Sequence, residues 1–266
     1  ADRAAKGKRP IVVELNKGEL PDFRQAMTAE LDKVIKDISD IQAKNGASGM
    51  AETRFVEGSA LFEMTGLPDN GLDACISSPP YCNRYDYTRT YALELAYLGV
   101  DKERFNRLRQ DLLSCTVENR PKTDVLRQHY VSIGRTADFE KIMGIVRGNT
   151  VLQEINEALR QRNEWGEINN KGVLKMVDGY FTELTFVFAE LFRACRKGAK
   201  VAFVNDNVRY AGEVIPVDFL TTNLAEHVGF KPVKIYTLKQ QKGNSSQQMK
   251  RYGRIALRKS ITIWEK

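Results

Sequence analysis

Pro79 and Pro80 stand side by side immediately after the apolar run Leu72-Asp73-Ala74-Cys75-Ile76, and no helix or sheet interior accommodates such a pair. Each ring fixes φ and removes a backbone donor, so the chain must leave the run as a loop that offers carbonyls without competing N–H groups. With Pro68-Asp69-Asn70-Gly71 punctuating its other end, the run over residues 72–77 reads as a buried strand. The loop that follows contains Ser78-Pro79-Pro80-Tyr81. Ser78 contributes a hydroxyl acceptor, and Tyr81 a ring face on which a planar heterocycle can stack. At the carboxyl edge of an α/β sheet, where ligands bind, that platform suits the exocyclic amino group of a base taken out of its helix.

The rest of the chain supports such a sheet. Ile11-Val12-Val13-Glu14-Leu15 reads as a short strand. From residue 22 to about 44, Phe23, Met27, Leu31, Val34, Ile35, Ile38 and Ile41 recur at three- and four-residue steps, which predicts an amphipathic helix. Residues 54–56 are expected as a strand, 60–64 as a turn or short helix, 181–196 as a helix and 200–204 as a strand. A helix over 215–227 with Gly229 beyond it comes next, and strands over 232–238 and 260–264 close the pattern. Residues 100–178 differ, with scattered apolar positions, few strand-like runs and nearly balanced charge (14 Lys and Arg against 12 acids). They read as a helical insertion, with 151–162 the clearest helix. The expected fold is therefore α/β. Residues 1–50 form an N-terminal strand and helix, 51–99 with 179–266 the α/β core, and 100–178 the insertion and candidate target-recognition region.

Composition narrows the function classes. At 42% hydrophobic and 28% charged, the chain is an ordinary globular sequence. No apolar run approaches the ~20 residues that span a bilayer, and Ala1-Asp2-Arg3-Ala4-Ala5-Lys6 lacks the apolar centre of a signal peptide. Cys75, Cys82, Cys115 and Cys195 show no metal-like pairing, which suggests reduced thiols in the cytoplasm. With only His129 and His227 beside them, no metal site is expected. The net charge of +7 is local: residues 231–266 hold ten Lys and Arg against Glu265 alone. Lys239-Gln240-Gln241-Lys242-Gly243-Asn244-Ser245-Ser246 adds donors suited to phosphates and base edges, so nucleic acid is the expected partner of this segment.

Ser78-Pro79-Pro80-Tyr81 resembles the catalytic motif of the S-adenosylmethionine-dependent amino-methyltransferases that modify exocyclic nitrogens of DNA bases. The resemblance continues through Asn83-Arg84-Tyr85-Asp86-Tyr87-Thr88-Arg89-Thr90-Tyr91, Glu94-Leu95 and Leu98-Gly99. It covers about half the chain and is specific over residues 73–99. It implies a three-layer, Rossmann-like methyltransferase sheet and a site-specific enzyme acting on double-stranded DNA in a restriction-modification setting. Ser at the motif's first position implies cytosine N4 as the target; adenine N6 in DNA, or a base in RNA, is the alternative. The catalytic set is then Ser78, Pro79, Pro80 and Tyr81. Ser78 and Pro79 also border the cofactor, and Arg84, Tyr85 and Arg89 face DNA with Lys239, Lys242, Lys250, Arg251 and Arg254. Tyr87 and Tyr91 stand at helical spacing with Leu95, so at least one of them is expected in packing.

For the cofactor, Val56-Glu57-Gly58-Ser59-Ala60 resembles the third motif of that family, with Ser59 where Asp is usual. Gly58 and Ser59 would meet the adenine ring, and Glu14 would grip the ribose. Asn205-Asp206-Asn207 resembles the sixth motif, which borders the active-site pocket. The first motif, Phe-x-Gly-x-Gly, is absent, and no Gly-x-Gly occurs anywhere in the 266 residues. Three explanations stay open: an upstream segment carries it, a second subunit carries it, or donor binding is lost and the chain is a non-catalytic DNA-binding subunit.

Overall fold

In the computed structural model the described residues are 22–45, 52–239, 252–253 and 255–266. Their contacts divide the chain into two units, Ala1–Phe55 and Val56–Lys266. The first contains helix α1 (Phe23–Asn45), close to the predicted bounds. Its start is closed by a reciprocal pair: Gln25 N–H donates to Asp22 Oδ1 (2.9 Å), and Asp22 N–H donates to Gln25 Oε1 (3.2 Å). The expected strand over 11–15 lies outside the described residues.

The second unit is built on a four-stranded sheet: β1 (Leu72–Ser77), β2 (Cys195–Asp206), β6 (Lys259–Glu265) and β5 (Lys231–Leu238), in that spatial order. β1 and β2 run parallel, with Ile76 opposite Ala202 and Ser77 opposite Phe203. β6 lies antiparallel to both β2 and β5. On one face, Val201, Phe203 and Asn205 of β2 alternate into the interior beside Ser260, Thr262 and Trp264 of β6. Helices α9 (Gly172–Ala194) and α10 (Val217–Val228) pack against this sheet. Trp264 stacks on Phe203 (5.4 Å between centroids), meets the edge of Phe188 from α9 (4.9 Å) and donates its indole N–H to Thr222 of α10 (3.2 Å). Among the described residues the opposite face is uncovered, with Ile76 86% exposed and Tyr236 47% exposed.

Residues 100–178 are helical, as their composition suggests: α5 (Lys102–Asp111), α6 (Thr123–Ser132), α7 (Thr136–Gly148) and α8 (Thr150–Glu164). Asp101 and Asn149 cap α5 and α8 by accepting from Arg104 N–H (2.7 Å) and Leu152 N–H (2.9 Å). Phe139, Ile142, Met143, Val146, Leu152 and Leu159 from α7 and α8 join the same buried cluster as α9 and the sheet. Every residue of α9 from 180 to 188 is buried, because helices and sheet surround it.

Some expectations fail. Residues 54–56 are irregular rather than a strand; Phe55 is 93% exposed, and alternation cannot make a strand without a ladder partner. Helix α9 starts at Gly172, nine residues before the predicted start, because α9 extends back over α8. Pro216 holds α10 to a start at Val217, leaving Ile215 in an unforeseen hairpin of β3 (Val208–Tyr210) and β4 (Glu213–Ile215). Its turn places Ala211 (φ 47°) and Gly212 (φ 88°) both in the left-handed region. An alanine gives no signal for that conformation.

Two outcomes follow from this packing. Phe188→Ala empties the space against the stacked Phe203 and Trp264 and should cost about 3–5 kcal/mol of stability, measured by urea unfolding. Asp218, at the start of α10, accepts from Arg258 Nε (2.7 Å), Arg258 Nη2 (3.0 Å) and Ser260 Oγ (2.7 Å). Burial opposes its charge, yet these bonds hold its carboxyl below the usual carboxylate range. The stabilisation is present above the unfolded-state pKa and is lost as pH falls through the lower folded value. Asp218→Asn should therefore flatten the acid limb of the melting temperature below roughly pH 4.

Candidate functional site

β1 delivers Ser78, Pro79, Pro80 and Tyr81 to the carboxyl end of the parallel pair β1–β2. Ser78 is exposed, and its Oγ lies 3.0 Å from Tyr81 OH, so one of the two hydroxyls donates a hydrogen bond to the other. Lys259 Nζ stands over the Tyr81 ring, 5.3 Å from its centroid. The same ammonium is 4.0 Å from Asp206 Oδ1 at the end of β2. Burial pushes the Asp206 carboxyl up, against the pull of Lys259. Its Oδ1 is buried and has no hydrogen-bond partner among the described residues. Asn205 beside it donates to Tyr180 OH (2.8 Å), which locks the end of β2 to α9.

The turn after Tyr81 is held from several sides. Tyr210 OH donates to the Cys82 carbonyl (2.7 Å), and Asn83 N–H closes back on the Tyr81 carbonyl (2.7 Å). Arg84 takes a left-handed conformation (φ 66°), costly for a residue with a Cβ and sustained here by its neighbours. Its guanidinium donates to Asn169 Oδ1 (3.3 Å). Asp86 then caps helix α3 (Tyr87–Thr90), accepting from Thr88 N–H (3.0 Å), Thr88 Oγ1 (2.6 Å) and Arg89 N–H (3.2 Å). Arg109 of α5 pairs with Asp86 at 3.0 Å.

A cavity of about 1060 Å³ opens beside this loop, lined by Gly58, Ser59, Pro79, Pro80, Tyr87 and Tyr91 together with apolar residues of α9 and of helix α4 (Ala92–Tyr97). Its size is at the upper end for a small-molecule site. A Cβ at Gly58 would come within 2.4 Å of Glu63 Cγ, so the exposed Glu63 side chain would have to move to admit one. Ser59 turns its hydroxyl to the Asp111 carbonyl (2.8 Å).

Of the residues expected from sequence, Gly58, Ser59, Pro79 and Pro80 thus line one cavity, with Ser78 and Tyr81 in the adjoining loop. Arg84 and Tyr85 follow directly, and Arg89 is exposed on α3. Tyr87 and Tyr91 face the cavity, and Tyr87 also meets Tyr85 edge-on (4.9 Å). Lys239 is exposed just past β5. Glu14, Lys242, Lys250, Arg251 and Arg254 lie outside the described residues. Lys259 and Arg109 had no site signal in the sequence; Lys259 read only as one charge of the basic end, and Arg109 as one of many on a polar helix.

The chemistry available is that of polar positioning. Among the described residues no cluster of three or more His, Cys, Asp or Glu forms a metal site. Burial raises the thiols of Cys75 and Cys82 above the ordinary range and that of Cys115 to about 12, so none supplies a thiolate at neutral pH.

Fold and site together define an α/β protein with a cavity beside an aromatic, hydrogen-bonding loop at the carboxyl end of β1. The chain is 60% identical over 264 residues to the Type II methyltransferase M.BsoBI of Geobacillus stearothermophilus, covering 99% of this chain and 52% of that protein. It is 39% identical over 256 residues to the Type II methyltransferase M.AvaI of Nostoc sp. and of Anabaena variabilis, covering 95% of this chain and 51% of those. Over that span the chain is similar to Type II methyltransferases, and it spans about half the length of the curated relatives it matches. No protein-family model matches it. A solved DNA modification methylase from Thermus thermophilus aligns over 79% of this chain and 50% of its own, at 12% identity and a TM-score of 0.34, too slight a likeness to define the fold.

In the native protein Cys82 and Cys115, both fully buried, should resist iodoacetamide at pH 8 and react only on unfolding, as followed by mass spectrometry.

Proposed function

We propose that this chain carries the base-binding half of a site-specific DNA methyltransferase that moves a methyl group from S-adenosylmethionine to cytosine N4 of a flipped base. The observation that carries the reading is Ser78-Pro79-Pro80-Tyr81 at the carboxyl end of β1, beside a cavity that reaches Gly58 and Ser59. The amino nitrogen of cytosine is a weak nucleophile because its lone pair is delocalised into the ring. The Ser78 hydroxyl and the Pro79 carbonyl accept hydrogen bonds from its N–H groups and draw that nitrogen toward tetrahedral geometry. Tyr81 stacks on the base, an interaction worth roughly 1–3 kcal/mol. Asp206, raised by burial, with an Oδ1 that faces Lys259 at 4.0 Å and accepts no hydrogen bond among the described residues, is our candidate to receive the proton that the nitrogen sheds. S-adenosylmethionine, when bound, supplies an electrophilic methyl on a positively charged sulfur.

The cavity suits the adenosine end of that donor: Gly58 and Ser59 on one wall, a proline rim and apolar walls. The glycine loop for its methionine end is not in this sequence. The edge of β1, uncovered among the described residues, and the exposed apolar residues Ile76, Leu93, Tyr97 and Leu98 favour completion by a segment outside these residues, upstream or in a second subunit. That segment would extend the sheet to a three-layer, Rossmann-like arrangement. In this reading residues 51–99 and 179–266 form the catalytic core, and 100–178 carry target recognition. Arg84, Tyr85, Arg89 and the basic residues from Lys239 to Arg254 contact double-stranded DNA, in the cytoplasm.

Nucleoside analysis of DNA incubated with the intact enzyme and donor should reveal N4-methylcytosine. N6-methyladenine, or a mark confined to RNA, would replace the substrate, and no methylated base would overturn the reading. Ser78→Ala and Tyr81→Ala should each lower turnover by about two orders of magnitude, the scale set by losing one polar contact to a transition state. Calorimetry with S-adenosylmethionine should show weak or no binding by this chain alone and binding once the completing segment is added.

A further inference from the structure

Residues 109–122 run from the end of α5 to the start of α6, and they touch both walls of the site. On the donor side, the Asp111 carbonyl accepts from Ser59 Oγ (2.8 Å), and Leu112 and Leu113 line the cavity. On the base side, Arg109 pairs with Asp86 (3.0 Å) and donates to Thr88 Oγ1 (3.2 Å), while Cys115 Sγ lies 3.5 Å from the Tyr85 carbonyl. The segment is folded on itself rather than draped. Asn119 donates to the Arg109 carbonyl (2.8 Å) and accepts from Thr116 N–H (3.0 Å). Gln110 bonds the Glu118 carbonyl (3.1 Å) and accepts from Arg120 N–H (2.9 Å).

Beneath it lies a buried ion pair. Lys122 Nζ donates to both carboxylate oxygens of Glu183 on α9 (3.1 and 3.2 Å) and to Ser114 Oγ (3.1 Å). The same carboxylate accepts from Ser114 N–H (2.9 Å). Glu183 is 2% exposed and Lys122 8% exposed, so each charge depends on the other, and loss of one partner would be severe. Gly179, one turn earlier on α9, makes room: a Cβ there would stand 3.3 Å from Ser114.

We propose that residues 109–122 are a strap that sets the distance between the donor-side residues Gly58 and Ser59 and the base-side residues 84–89. Arg109 and Asn119 are its positioning residues, and the Lys122–Glu183 pair anchors it to α9. The inference rests on the transfer reaction proposed above. Methyl transfer needs both reactants held within a few tenths of an ångström of one line, and a small misplacement is expensive in rate. Arg109 and Asn119 do not line the cavity, so they couple the positions of the two loops through the strap rather than by contact with a reactant.

The test uses the intact enzyme with Asn119→Ala, Arg109→Ala and Arg109→Lys. The two alanine variants should lose at least fivefold in kcat per folded molecule, with KM for DNA and for S-adenosylmethionine within twofold of wild type. Arg109→Lys, which keeps a cation opposite Asp86, should recover part of the rate. Amide exchange at residues 58–59 and 84–89 should rise together in Asn119→Ala. Unchanged kcat in both alanine variants, or a loss that follows the folded fraction alone, overturns the strap. If the wild-type enzyme methylates no nucleic acid, the reading of the site fails and exchange decides the strap by itself. Exchange that stays at wild-type levels in either loop then rejects it.

Discussion

Helix α9 is surrounded over residues 180–188, and that burial ties the sheet, the helical stretch and the site into one body. One side packs on β2 and, through Phe188, on Trp264 of β6, while other sides meet α7, α8 and α10. A helix so placed must satisfy the polar groups it carries. Thr185 bonds back to the Phe181 carbonyl (2.7 Å), and Glu190 accepts from Tyr130 OH (2.7 Å) and Arg135. Tyr180 holds Asn205 at the end of β2, and Glu183 holds Ser114 and Lys122. The geometry of the loop edge is therefore set from behind, by one rigid element.

Among the described residues the sheet is covered on one side only. Its helix-covered face holds the aromatic cluster, whereas β1 has an open edge among the described residues and Ile76 faces outward. Open apolar edges pair readily with other strands, and natural proteins cover or blunt them. The chain spans about half the length of the relatives it matches and contains no Gly-x-Gly.

The candidate site was legible where it is local. Ser78-Pro79-Pro80-Tyr81 is a contiguous string whose prolines dictate its own conformation, and Gly58 with Ser59 sits beside a short helix start. Lys259 over Tyr81 and Arg109 on Asp86 join residues 178 and 23 positions apart, and no short-range pattern marks such pairs. The unforeseen hairpin of β3 and β4 failed for a local reason instead, since its turn uses Ala211 where glycine or asparagine is the usual sign.

Periodicity and proline placement were enough to determine the α/β pattern, the strand ending at Ser77, the helical nature of residues 100–178 and the loop that follows β1. These depend on side-chain period and on φ restrictions, which act between near neighbours. Tertiary structure alone decided the strand order, the open edge of β1, the cavity shared by Gly58 and Pro79, and the strap bonded to both loops. Those rest on pairings between distant segments, whose choice depends on the whole core closing around α9.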